Sequence, residues 1–260
     1  MKVTLLGTGT STGVPVIGCT CRVCQSEDPR DKRLRCACFI EVDGIHILID
    51  AGPDFRVQAL HNKIPKIDAV LITHHHFDHV VGLDDLRPYL FWNREPIPCF
   101  ADNKTSDVLR KMFWYIFEDG SYPGVAKLDL HEIDDVFQVG SRYEDLAPVK
   151  VTPIEAFHGK MPILGFRIGN FAYLTDTNRI PEESFPLLEG LDVLVLDALR
   201  HEPHRTHFTI EEAINTARKI GPRHTYFTHM THSILHAEED AKLPDGVSLG
   251  YDGLTFDVKG

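Results

Sequence analysis

Between residues 74 and 79 the chain reads His-His-His-Phe-Asp-His, so His74, His76, Asp78 and His79 place four metal-competent side chains within six residues. Imidazole nitrogens and carboxylate oxygens are ligands for Zn²⁺, Mn²⁺ or Fe²⁺. The motif follows the apolar run DAVLIT, which reads as a buried strand, and precedes an apolar stretch from Val80 that reads as helical. An H-x-H carried on a strand end presents both rings on one side, because extended side chains alternate. The turn then brings Asp78 and His79 to a neighbouring point.

Further donors stand at the ends of other apolar runs. VKVTPIEAF leads into His158, FAYLT into Asp176 and HTYFT into His229. One such histidine would be an ordinary structural residue. Several strands that each end in a metal-competent residue, in a chain with 15 histidines, point to ligands converging along one edge. The natural arrangement is two ions with Asp176 between them, the usual device for hydrolysing esters and phosphodiesters. Asp50 (ILIDAG) and Asp197 (LVLDAL) also end apolar runs and would suit the outer N–H of a liganded histidine, or else a strand-end turn.

The elements that must carry these residues are mostly strands. Extended segments are expected at 2–6, 38–42, 45–50, 68–73 and 98–100, with Asp43-Gly44 as a hairpin turn. In the second half they are expected at 149–154, 165–168, 171–175, 193–196 and 224–228. Helices are expected at 54–61, 105–117 and 210–220. The last has Thr209 and Glu212 as a capping box and Gly221 after its end. The stripe Met112, Phe113, Ile116 and Phe117 reads as helix packing. Two sheets face to face with helices outside would accommodate this pattern.

Composition narrows the partners. The 260 residues are 43% hydrophobic and 25% charged, ordinary for a globular chain, and the length suits one large domain spanning 1–260. A net charge of −11 argues against a chain that holds nucleic acid through a basic surface. It leaves room for a small phosphorylated substrate, since a metal supplies local positive charge. The start, MKVTLLGTGTSTGVP, lacks a signal-peptide core, and no run of about 18 apolar residues suggests a membrane span. A cytoplasmic location is the default expectation. In that reducing setting, Cys19, Cys21 and Cys24 suggest a zinc site needing a fourth ligand, with three plain thiols as the alternative. Cys36, Cys38 and Cys99 read as core residues. Exposed aromatics such as Phe91, Trp92 and Trp114 would suit either a homodimer interface or a pocket wall.

The H-x-H-x-D-H motif with distant His, Asp and His resembles the metallo-β-lactamase superfamily. The opening LLGTGTSTGVP, the C-x-C-x-x-C cluster, ILIDAG and Thr228-His229-Met230-Thr231-His232 resemble its PhnP-type phosphodiesterases, linked to carbon–phosphorus lyase pathways. The resemblance implies an α/β (α+β) fold, an αββα four-layer sandwich with the site at the sheet edge. It implies one divalent ion on His74, His76 and His158, another on Asp78, His79 and His229, and Asp176 bridging them. The ions would be Zn²⁺ or Mn²⁺. It further implies a structural Zn²⁺ on Cys19, Cys21, Cys24 and His232, and His207 near the leaving group, with His201 and His204 as competitors.

The activity implied is hydrolysis of small, cyclic-type phosphodiesters, with Asp78 orienting or deprotonating the nucleophile and His207 as proton donor. A tRNA 3′-processing ribonuclease or a thioester hydrolase would share the metal residues. A non-catalytic metal-binding biosynthetic partner is the alternative of another class. Substrate recognition is expected in the segment 84–140.

Overall fold

In the computed structural model, which describes residues 1–91, 93–117 and 124–259, the strands form two seven-stranded sheets. The first contains β1 (Lys2–Gly7), β2 (Ala37–Val42), β3 (Ile45–Ile49), β4 (Ala69–Leu71), β5 (Ile97–Ala101) and β6 (Leu128–Glu132) in sequence order. The second contains β7 (Phe137–Val139), β8 (Val149–His158), β9 (Met161–Ile168), β10 (Phe171–Leu174), β11 (Val193–Asp197), β12 (His224–Thr228) and β13 (Val247–Leu249), also in order. The last strand, β14 (Thr255–Asp257), crosses back to pair antiparallel with β1.

Alternation along the strands builds the layers. Ile45, Ile47 and Ile49 of β3 join Val193 and Val195 of β11 in one apolar cluster between the sheets. The intervening Leu48 faces outward, onto Phe55 of α1 (Phe55–His61), the 3₁₀ segment Val81–Leu90, and Leu109 of α3 (Asn103–Met112). Leu194 and Leu196 of β11 likewise face outward, onto Ile210 and Ala213 of α5 (Ile210–Ile220). Side chains on opposite pleat faces thus make helix–sheet–sheet–helix layering the way to bury both. Each such Leu or Ile, wholly withdrawn from water, contributes roughly 1.5–3 kcal/mol. Short helices α2 (Phe77–Val80), α4 (Trp114–Phe117) and α6 (His236–Asp240) complete the chain.

The hairpin at Asp43-Gly44 forms as expected, with φ of 49° and 83°, the positive values that a two-residue turn needs at both positions. The α5 caps also form, including the reciprocal Thr209–Glu212 bonds and Gly221 in the left-handed conformation. Three expectations are corrected. Helix 105–117 is broken at Phe113 (φ −114°, ψ 38°) into α3 and α4, so Phe113 and Ile116 are buried but Met112 lies at the surface. Strand β4 ends at Leu71, so His74 and His76 ride on a loop rather than on a strand. Strand β8 runs beyond Ile154, as far as His158. Phe91 and Trp114 are exposed, while Trp92 lies outside the described residues. Among the described residues no helix is long and apolar enough to cross a membrane.

Candidate metal centre and active site

Strands β3 to β6 run parallel, as do β10 to β13. Their carboxyl ends therefore share an edge, and loops leaving that edge can converge. Asp50 follows β3, Thr73 and His74 follow β4, Asp176 follows β10, Asp197 closes β11 and His229 follows β12. Three of these turn the chain through left-handed backbone: Asp50 (φ 63°), Asp176 (φ 53°) and His229 (φ 62°). Non-glycine residues take up that strained conformation where surrounding structure compels it, often at functional sites.

The carboxylate of Asp176 is the hub. Its Oδ1 lies 3.2 Å from His79 Nε2 and 3.1 Å from His229 Nε2. Its Oδ2 lies 3.8 Å from His74 Nε2. Asp78, His79, Asp176 and His229 form one group of converging donor atoms, and His74, His76 and Asp176 a second. His158 joins a third group with Asp176 and His207, and its ring centre is 5.1 Å from that of His76 and 5.8 Å from that of His74. All seven residues expected around two ions are thus brought together, with one Asp176 oxygen facing each cluster.

Outer partners hold the rings. Asp50 lies 2.7 Å from His79 Nδ1 and accepts from Thr73 N and Oγ1, at 2.9 and 2.8 Å. Thr73 Oγ1 is also 3.0 Å from His74 Nδ1. His158 Nδ1 faces the backbone carbonyls of Asp176 and Thr206, at 2.9 and 3.1 Å. With the outer nitrogen occupied, Nε2 is the one aimed inward. Nε2 of His74, His79 and His229 is buried and finds no hydrogen-bond partner in the protein. Orphaned buried donors of this kind are costly, and a cation filling the clusters would satisfy them. Burial holds the His74 imidazole well below its usual range and His229 at about 3, so both present lone pairs. Burial works against the Asp176 charge, but His79, whose ring Asp176 and Asp50 favour in the charged form, holds that carboxyl well below its usual range. The residues present therefore fit two divalent cations.

His207 is buried, with Nδ1 3.1 Å from Asp197 Oδ1, and its ring stacks 4.6 Å from that of His229. Burial works against its charge, but Asp197 outweighs that and raises its pKa. His204 is exposed, with its ring 5.1 Å from His207. His201 instead pairs with Glu239 at 3.0 Å. Cys36 and Cys38 are buried as expected, as is Cys99.

The second candidate metal site also assembles. His232 Nδ1 lies 3.3, 3.5 and 3.6 Å from the sulfurs of Cys19, Cys21 and Cys24. Tetrahedral zinc with its usual Zn–S and Zn–N bond lengths needs S···N edges of ~3.5 Å. All six cysteines are free of disulfides. The Cys24 backbone N–H leads the interactions that pull the Cys21 thiol down to about 6, which favours the thiolate a metal needs. The contributions from Thr73 and the Thr206 carbonyl were not legible beforehand. A backbone carbonyl leaves no trace in residue type, and Thr73 gave no signal beyond its place beside the histidines.

A family model described as a β-lactamase superfamily domain matches residues 46–230. A crystal structure titled as a new diphosphatase from the PhnP family is 44% identical, with TM-score 0.89, and the match covers 98% of this chain and 96% of that one. A Porphyromonas gingivalis protein named octanoyltransferase is 45% identical over all of this chain, which spans only 52% of that protein. Zn²⁺-bound PqqB from Methylobacterium extorquens shares the fold, with TM-score 0.77 at 22% identity over 99% of this chain and 100% of that one. The chain therefore belongs to the metallo-β-lactamase superfamily and, within it, to the PhnP family.

Proposed function

We propose that the protein is a metal-dependent phosphodiesterase acting on small, cyclic-type phosphodiesters. The reading rests on the buried, unpartnered Nε2 atoms of His74, His79 and His229 around Asp176, beside a His207 backed by buried Asp197. His74, His76 and His158 would hold one divalent ion, Asp78, His79 and His229 the other, and Asp176 both. Imidazole and carboxylate accept both Zn²⁺ and Mn²⁺. Such ions supply Lewis acidity toward phosphoryl oxygens and make water acidic enough to attack at neutral pH.

The chain's own groups supply the rest. Asp78, at the inner wall, orients the attacking water and accepts its proton. As the bond from phosphorus to the leaving oxygen breaks, His207 gives the alkoxide a proton from Nε2, the nitrogen not facing Asp197. Asp197 fixes the ring's tautomer and favours the charged form. Cys19, Cys21, Cys24 and His232 would hold a structural Zn²⁺ that ties the N-terminal loop to the loop after β12.

The name octanoyltransferase belongs to a chain about twice this length, so it is no guide to the aligned half. Acyl transfer through a covalent intermediate also needs an accessible nucleophile. The cysteine near this site, Cys36, is buried, and burial pushes its thiol up to about 12. The PhnP-family diphosphatase supports phosphorus chemistry instead. The test is turnover of bis(p-nitrophenyl) phosphate and 2′,3′-cyclic nucleotides with Mn²⁺ or Zn²⁺. Folded protein that carries both ions yet turns over neither substrate would end the reading.

A further inference from the structure

The two loops that bring His158 and His207 to the site come from different elements. His158 ends β8 at the hairpin turn into β9. His207 sits on the loop between β11 and α5. The two rings pack edge to face with centres 4.7 Å apart, so a shift of one loop displaces the other's histidine. A third loop, after β10, reaches both through one side chain. Asn178 Oδ1 accepts from Gly159 N at 2.8 Å, and its Nδ2 donates to the Arg205 carbonyl at 3.1 Å. Asn178 is half-buried and two residues beyond Asp176.

We propose that Asn178 is a positioning residue, its amide clamping the His158 turn to the His207 loop and so fixing the proton donor against the metal cluster. The proposal builds on the phosphodiesterase reading above. A primary amide suits this place, because one end accepts a hydrogen bond and the other donates one. Ionised aspartate would keep the acceptor and turn the donor into a second acceptor facing the Arg205 carbonyl.

The neighbouring backbone is built around the clamp. Gly159 has φ +65°, and a Cβ there would come within 2.9 Å of Thr206 Cγ2, so the turn lies too close to the loop for another residue. Asn178 N donates to the Phe157 carbonyl, and Phe157 N to the Arg179 carbonyl, which pins the root of the side chain to β8. On the other side Phe208 N points at both the Thr177 carbonyl and Asp197 Oδ2. The Asn178 amide therefore bridges two segments whose backbones are already docked on the same loop. A rotation of either one would be felt at His207.

The test combines hydrogen exchange with leaving-group dependence in the full-length, metal-loaded protein, comparing wild type, Asn178→Ala and Asn178→Asp. The Gly159 amide should exchange at least about tenfold faster in N178A and remain protected in N178D, while the Phe208 amide should speed up in both. With alkoxide leaving groups, N178D should lose at least about tenfold in kcat, but less than about twofold with p-nitrophenolate, which needs no proton. Bound metal should stay at the wild-type level in both variants. Unchanged exchange at Gly159 and Phe208, or equal rate losses for the two leaving groups, would overturn the clamp. Should wild type turn over neither substrate, the phosphodiesterase reading fails on its own, and the exchange data alone decide the clamp.

Discussion

At the scale of single residues, the outer carboxylates behind His79 and His207 set what substitutions do. His207→Asn keeps the size of the ring's near edge but cannot carry a proton at neutral pH. The rate should fall about 10²–10³-fold for alkoxide leaving groups and much less for p-nitrophenolate, read as a steeper dependence on leaving-group pKa. Asp50→Asn removes the carboxylate 2.7 Å from His79 Nδ1, so metal affinity should fall roughly 10–100-fold, measured by competition with a chelator. Unaltered affinity would mean that Asp50 is only a turn residue. Side-chain donors such as His74, Asp78 and His229 are readable because their types bind metal and four of them crowd into residues 74–79. What holds His158 is not, since the Asp176 and Thr206 carbonyls carry no residue-specific mark.

At the scale of elements, legibility followed burial. Central strands β10 and β11 announce themselves as apolar runs because both faces are covered. The short strands β6, β7, β13 and β14 escaped notice. LDLHE and TFD carry charges on positions open to water, as suits the rims of sheets. Helix 105–117 looked continuous because the period survives the break at Phe113, whereas a backbone turn leaves no apolar signature. The α5 start was readable down to its cap, and Thr209→Ala should cost ~1 kcal/mol of stability, seen as a lower urea midpoint. The Cys19–His232 link joins the N-terminal loop to the segment after β12. Metal analysis after mild chelation should find one zinc retained per wild-type chain and none in Cys24→Ser, with a lower melting temperature.

For the whole molecule, Asp252 joins distant parts of the chain. It accepts from Thr8 N and Oγ1, both at 2.9 Å, and from Leu34 N at 2.6 Å. Burial outweighs these donors and pushes its carboxyl up to about 7. The folded protein then holds this proton more tightly than the unfolded chain does. Stability from this group is complete below the ordinary carboxylate range, declines as pH rises toward 7 and levels off above it. Urea unfolding between pH 5 and 8 should show that decline in wild type and a flatter profile in Asp252→Asn, whatever the variant's absolute stability. Identical slopes would show that Asp252 is ionised in the fold throughout.

The donors are shared unequally by chain position: His74, His76, Asp78 and His79 precede β6, while His158, Asp176, His207 and His229 follow β7. Severing the backbone between exposed Asp134 and Asp135 would leave each fragment with an incomplete ligand set. Neither fragment could assemble the whole centre alone. Re-association, helped by β14 docking on β1, would be drawn forward by the ions themselves, making the nicked enzyme a complementation pair whose assembly is gated by dissolved metal.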